Sequence, residues 1–365
     1  MSNSDPQLIE NFQGHRGLIT SVDISAKQVV SASEDSSIQV WHLDSSQRPY
    51  RFIGHKGPVY DVCFSPLGDS ILSCSKDECA KIWKLSVEGK SKTWRAHSAG
   101  VRTVSYSPDG RLILTGSEDK TIKVWAAASQ AFQLSFTGHT NWVRYARFSP
   151  DSRMVLSTSD DKSIRVWDVN ASIGIQQFNS DVPVFNARFH PDGTCFAAGT
   201  ADGKAKLWDL RSQRILQVHT GHNDRVNSVD FHPNGNFLIS SSRDSSVKIW
   251  DLRQGHCLYT LLGHQGSASS VRFSKSGESF VSGGEDHSVL LWKAHAVEKE
   301  LLSKRKTGRE EISKGEKVSE QLAGTLDKLV NQLDIVTRTI VMLDQRINNF
   351  EENVARLTEK IMADE

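Results

Sequence analysis

Apolar and polar positions alternate along most of the chain in runs too short for helices. Val101 to Tyr106, Leu112 to Gly116 and Thr121 to Trp125 are such runs, and Ser107-Pro108-Asp109-Gly110 supplies a turn between the first two. Alternation of this length bounded by turn residues predicts strands. The pattern is periodic. Trp stands at 41, 83, 125, 167, 208, 250 and 292, spaced by 42 residues except for one interval of 41. An Asp lies six positions before each: Asp35, Asp77, Asp119, Asp161, Asp202, Asp244 and Asp286.

A second marker precedes most copies, at Gly14-His15, Gly54-His55, Ala96-His97, Gly138-His139, Gly221-His222 and Gly263-His264. Self-similarity at about 40 to 45 residues with this pair of markers predicts four-stranded propeller blades. Seven copies predict an all-β seven-bladed propeller over residues 1–293. The repeats resemble WD repeats, and the Trp-Asp dipeptide itself stands at Trp167-Asp168, Trp208-Asp209 and Trp250-Asp251. The resemblance implies that each blade's His, its Asp, the Ser or Thr two residues before that Asp, and the Trp form one hydrogen-bonded network. In one blade this set is His139, Ser159, Asp161 and Trp167.

Ser, His and Asp converging also describes a nucleophilic triad. A catalytic set has no reason to recur in every blade, so the network is expected to be structural, and no catalysis is predicted. Two copies depart from the pattern. Blade 5 has Asn179-Ser180-Asp181 in place of Gly-His, and blade 7 has Gly284 in place of the hydroxyl. Both networks are expected to be weaker. Residues 7–12 occupy the slot that Cys257 to Leu262 fill before the last Gly-His, whereas nothing after Trp292 offers blade 7 an outer strand. They are expected to supply it, removing an open sheet edge.

Beyond the repeats the period changes. Residues 294–317 are a mixed-charge stretch read as a linker, with Lys304-Arg305-Lys306 inside it. Over 318–362, Leu322, Leu326, Leu329, Leu333, Val336, Ile340, Leu343, Ile347, Phe350, Val354, Leu357 and Ile361 follow one another at alternating intervals of 4 and 3. A narrow seam held at 3.5 residues predicts an α-helical coiled coil and a homo-oligomer, with β-branched a positions favouring a dimer over a trimer.

Charge and cysteine usage narrow the partners. Lys plus Arg number 44 against 43 Asp plus Glu, a net charge of +1, so no global field steers the chain to nucleic acid or to a membrane. No phosphate-cradling glycine loop or metal-ligand spacing appears, so neither cofactor nor metal is expected. The five cysteines show no pairing pattern and are expected in a reducing compartment, and the polar start Met1 to Pro6 lacks a secretory apolar core.

Recognition is then expected from the narrow face of the ring. The resemblance places there, in each blade, the two residues flanking the Val-type position after Gly-His and the one before the Asp. Among these, Trp142, Arg144, Tyr60, Arg102, Phe185, Arg225, Arg243 and Lys76 form the candidate partner site. Trp142 and Trp94 alone fall outside the periodic tryptophans, and Trp, Tyr and Arg are the residues of interface hot spots. The arginines and Lys76 would suit an acidic partner, with Glu34, Glu118, Asp160 and Glu285 tempering the charge.

Several stretches resemble the centriolar WD-repeat family called proteome of centriole one: Tyr50-Arg51-Phe52-Ile53-Gly54-His55-Lys56, Asn141-Trp142-Val143-Arg144 with Phe148-Ser149-Pro150-Asp151, and Gly263-His264-Gln265-Gly266 with Phe280-Val281-Ser282-Gly283-Gly284. That family joins a propeller to a C-terminal coiled coil. The resemblance implies a cytoplasmic, cytoskeletal scaffold of centrioles and basal bodies that supports triplet microtubules, centriole length and cilium formation, with centriolar scaffold proteins or tubulin as partners. A substrate receptor of a ubiquitin ligase and a coronin-like actin regulator are the alternatives.

Overall fold

The computed structural model describes residues 6–43, 48–85 and 91–294. The linker beyond Ala294 and the whole heptad segment 318–362, with the dimer expected from it, lie outside them. The described chain forms seven antiparallel four-stranded sheets, the predicted propeller. Blade 4 is typical, running outward through Val143–Phe148, Met154–Ser159, Ser163–Asp168 and Ile173–Asn179. Blades 1, 2, 3, 5 and 6 repeat this order over residues 19–53, 59–95, 101–136, 184–220 and 226–262.

Blade 7 has three consecutive strands, Ala268–Phe273, Ser279–Gly284 and Ser288–Lys293, and takes its fourth from Gln7–Gln13. That strand runs antiparallel to Ser288–Lys293, with Gln7 opposite Lys293 and Gln13 opposite Ser288. Its buried Phe12 crosses to blade 1 and stacks on Trp41 at 5.2 Å. The first strand thereby completes the last blade and also packs against the first.

Each blade is covered on both faces by its neighbours, which is why second strands such as Ile71 to Ser75 are buried along their length. The wedge is tightest near the axis. A Cβ on Gly199 would lie 2.9 Å from Val226 of the next blade, so only glycine allows that approach. Farther out, an aromatic on the outer strand of one blade packs on the periodic Trp of the next, as in Phe52 with Trp83 at 5.5 Å and Phe136 with Trp167 at 5.2 Å. Such ring pairs contribute roughly 0.5–1.5 kcal/mol each beyond the area they bury.

All seven innermost strands carry a bulge at one position, seen in blade 4 as a register shift between Val143 and Tyr145. A bulge inserts one unpaired residue and re-aims its side chain. The inserted residues are Thr20, Tyr60, Arg102, Arg144, Phe185, Asn227 and Ser269, and all of them line or overhang one mouth of the central channel.

Candidate interaction face

Six blades carry a complete His–Asp–hydroxyl–Trp staple. In blade 4, His139 Nδ1 lies 2.8 Å from Asp161, His139 Nε2 lies 2.8 Å from Ser157 Oγ, and Trp167 Nε1 donates to the same oxygen at 2.8 Å. A carboxylate only accepts, so the ring proton sits on Nδ1 and leaves Nε2 to accept from the hydroxyl. The joining hydroxyl is four residues before the Asp rather than two. Ser159, at the expected position, accepts the Asp161 backbone N–H at 3.1 Å and donates to Asn141. Five other blades repeat the joint through Ser31, Ser73, Thr115, Ser240 and Ser282.

Burial pushes the staple carboxyls up, but hydrogen bonds from His, backbone N–H groups and a hydroxyl outweigh it. Asp35, Asp77 and Asp244 come to rest at about 2. The connectivity Asp161–His139–Ser157 is that of a triad, yet Ser157 is fully buried and already receives the indole proton. No substrate carbonyl reaches it, and the same holds for its five counterparts.

Blade 5 is the irregular one. Ser180 stands where the other blades carry His, and Ala198 where they carry the joining hydroxyl. Trp208 Nε1 and Ser180 Oγ are accordingly buried with no hydrogen-bond partner, and Asp202 is held instead by Thr200 and by Lys204 at 3.1 Å. Blade 7 differs from the expectation, because Gly284 replaces the Ser159-type hydroxyl and not the joint. His264 meets Asp286 at 3.0 Å and Ser282 at 2.8 Å, and Trp292 donates to Ser282 at 3.0 Å.

On the narrow mouth, the bulge residues bring four of the candidate side chains into a ladder. The Arg102 guanidinium lies 4.0 Å from the Tyr60 ring and 5.6 Å from the Trp142 ring, and Arg144 lies 5.3 Å from Trp142 on its other contact. Trp142 remains 40% exposed. Both arginines are already neutralised within their own blades, Arg102 by Glu118 at 2.5 Å and Arg144 by Asp160 at 2.6 Å. The acidic partner inferred from these arginines therefore loses its main support. Arg225 stacks on Phe185 at 5.1 Å as a separate pair, while Lys76 and Arg243 are exposed and join neither group.

Below the mouth lies a charge cluster that the sequence reading missed. Arg147, Arg188 and Arg272 surround the Tyr145 ring at 4.5, 5.7 and 5.8 Å, and Arg147 pairs with Asp61 at 3.0 Å. Burial raises the Asp61 carboxyl, but Arg147, Arg272 and the Ser21 hydroxyl overcome it and hold it below its ordinary value. Burial dominates at Asp23, whose carboxyl is pushed up. The available signal was a charged residue three positions after the mouth residue, inside an otherwise apolar strand.

His190, Asp192 and Cys195 bring one ligand atom each within 4.8 Å of one another, the metal-type grouping found among the described residues. Burial pushes the Cys195 thiol up to about 11, which makes it a poor ligand at neutral pH. Blade 6 uses the same histidine position, His232 against the Gly277 carbonyl, with Asn234 and Phe237 in place of the other two groups. His190 against the Gly235 carbonyl at 2.9 Å fits that packing role. Among the described residues no helix is long and apolar enough to cross a membrane.

A ring of seven blades, six of them stapled in this way, defines a WD-repeat β-propeller, a protein-interaction fold. Comparison with protein families agrees: the description "Nucleolar protein 10-like, N-terminal domain" matches residues 61–292, more than half of the chain, and "WD domain, G-beta repeat" matches residues 6–42. The chain belongs to the β-propeller family that the first description names. Among individual proteins, it is similar to POC1 centriolar protein homolog A of Danio rerio, 49% identical over 49 residues, 13% of this chain and 12% of that protein. It is also similar to periodic tryptophan protein 2 homolog of Caenorhabditis elegans, 38% identical over 64 residues, 18% of this chain and 7% of that protein. Pre-mRNA-processing factor 19 of Bos taurus is 40% identical over 43 residues, 12% of this chain and 8% of that protein. The chain thus spans about an eighth or less of the length of these relatives.

Proposed function

We propose that the protein is a non-enzymatic adaptor of centrioles and basal bodies, gripping a protein partner with the narrow face of the ring. The observation that carries the binding half is the Tyr60–Arg102–Trp142–Arg144 ladder. It fixes a large, half-exposed indole by cation–π stacking, and the two guanidiniums behind it are held by their own carboxylates. A pre-ordered, half-exposed aromatic anchor loses little entropy on binding. The centriolar half rests on the stretches around Arg51, Trp142 and Phe280 and on the short match to POC1 centriolar protein homolog A. Self-association through 318–362 would multiply the grip on a lattice of repeated sites.

The longer match, to the nucleolar protein 10-like domain, favours a second reading as a nucleolar protein-interaction module. Imaging the tagged full chain in dividing cells separates the two. Paired centriolar puncta support the first, and nucleolar signal supports the second. For the face, affinity capture with wild type against Trp142→Ala/Arg144→Glu is expected to lose partners selectively, and an unchanged partner set would refute the choice of face.

A further inference from the structure

One slot recurs in every blade, formed by the residue before the staple Asp and the bulge residue of the innermost strand. The same backbone bond sets it each time, for example Glu34 N–H to the Leu18 carbonyl at 3.0 Å, Asp160 N–H to Trp142 at 3.1 Å and Glu285 N–H to Ser267 at 2.8 Å. In blades 3 and 4 the slot is filled by a carboxylate and an arginine, Glu118 with Arg102 and Asp160 with Arg144. Blades 1 and 7 keep the carboxylate, as Glu34 and Glu285, but the bulge residues are Thr20 and Ser269. Both hydroxyls are turned away to backbone carbonyls, Thr20 to Val59 at 2.7 Å and Ser269 to Gly283 at 2.9 Å. Neither glutamate has an ion-pair partner among the described residues.

Blades 7 and 1 are neighbours at the ring closure, so the two half-filled slots lie side by side. Glu34 and Glu285 line one cavity of about 300 Å³ with Thr20, Ser269, Tyr60 and Phe185. We infer that this cavity receives an arginine side chain from a partner protein, whose guanidinium completes the slots that blades 3 and 4 fill from within. A planar guanidinium meets a carboxylate at two points, which a hydroxyl residue cannot imitate. Tyr60 offers a ring face to the arriving cation, as it already does to Arg102. Four arginines also line the cavity: Arg102 and Arg144 are matched by Glu118 and Asp160, Arg272 of blade 7 donates to the Tyr145 hydroxyl, and Arg225, on the Phe185 side and without a carboxylate partner, opposes a second cation there and directs the guest toward Glu34 and Glu285. The inference rests on the narrow-face reading and specifies the partner's chemistry.

The test uses the full chain and three end-capped peptides, Ala-Leu-Arg-Ala and its versions with citrulline or glutamate in place of arginine, titrated calorimetrically at low salt. The arginine peptide is expected to bind at least about 10-fold more tightly than the citrulline peptide. Glu34→Gln/Glu285→Gln should erase that difference, Thr20→Arg should block the site by filling it in cis, and Arg225→Gln should tighten binding a few-fold. Equal binding of arginine and citrulline, preference for glutamate, or no binding at millimolar peptide overturns the inference. The citrulline comparison needs no variant, so a misfolded mutant cannot obscure it. In affinity capture, partners lost with Trp142→Ala/Arg144→Glu but kept with Glu34→Gln/Glu285→Gln would leave the face standing and remove the arginine. Partners kept with both would remove the face itself.

Discussion

Blade 4 and blade 5 are neighbours with the same four strands, and they are held together differently. In blade 4 every polar group of the staple is answered: His139 by Asp161 and Ser157, and Trp167 by Ser157. In blade 5 the imidazole and the joining hydroxyl are both missing, and Trp208 is left with an unanswered N–H. The aromatic packing shared with stapled blades remains. Phe196 stacks on Trp208 at 6.3 Å and 9°, and Phe178 meets both rings edge-on at 5.0 and 5.7 Å. The blade keeps its four strands without its staple, so the network is a local stabiliser and not a condition for the fold. A half-finished network still carries a cost, because a buried group without a partner, such as the Trp208 N–H, keeps its desolvation cost.

That contrast can be broken most forcefully at the histidine. His139→Ala strips Asp161 and Ser157 of their partner and opens a cavity beside Trp167, at a cost of about 2–4 kcal/mol. For a ring of this size that is a fall in Tm of roughly 3–7 °C by calorimetry. Ser180→Ala, at the same place in blade 5, removes an already unanswered hydroxyl and should leave Tm within about 1–2 °C. If both variants melt alike, the staple carries no special weight.

A finer test compares the tryptophans. Trp167→Phe deprives Ser157 of its donor as well as shrinking a core residue, and should cost about 1–2 kcal/mol more than Trp208→Phe, which breaks no hydrogen bond. Urea titration of the two variants measures the difference, and equal midpoints would contradict it.

The smallest effect concerns His219, on the outer strand of blade 5. It stands where other blades place Phe12, Phe52, Phe136 and Phe178, packed 5.2 Å from Trp250, with neither ring nitrogen in a well-formed hydrogen bond and the Gly255 backbone a weak contact at most. Burial holds its pKa below the ordinary 6.5, so the unfolded chain binds the proton first as the pH falls. The stability tied to the neutral ring is complete above pH 6.5 and is lost as pH drops from there toward the folded-state value. His219→Phe should add about 1 kcal/mol at pH 7 and flatten the loss of Tm between pH 6.5 and 5. His15, His222 and His232 are lowered by burial too, so the readout is the difference in slope between variant and wild type.

The ring and its number of blades were legible because one Trp and one Asp per blade are fixed by the staple, and the spacing of Trp125 and Trp167 counts strands directly. The gap in blade 5 was legible as a missing Gly-His. Which hydroxyl joins His to Trp was not. Ser157 and Ser159 share one strand face, and only their positions along it distinguish them. The mouth was legible as a set of positions but not as a set of charges. That Arg144 is spent on Asp160 depends on a bulge that turns one residue out of register, and a bulge of one residue leaves the period of Trp and Asp untouched.

The pairing of Gln7–Gln13 with Ser288–Lys293 also sets an order of events. On the ribosome, the strand at residues 7–13 must wait for the last strand of the ring, and until about residue 293 has emerged both halves of that seam lie open. Contacts this distant in sequence are slow to form and leave unpaired backbone exposed meanwhile. A nascent chain stalled before blade 7 would leave its seam unpaired and open to any neighbour in the same plight.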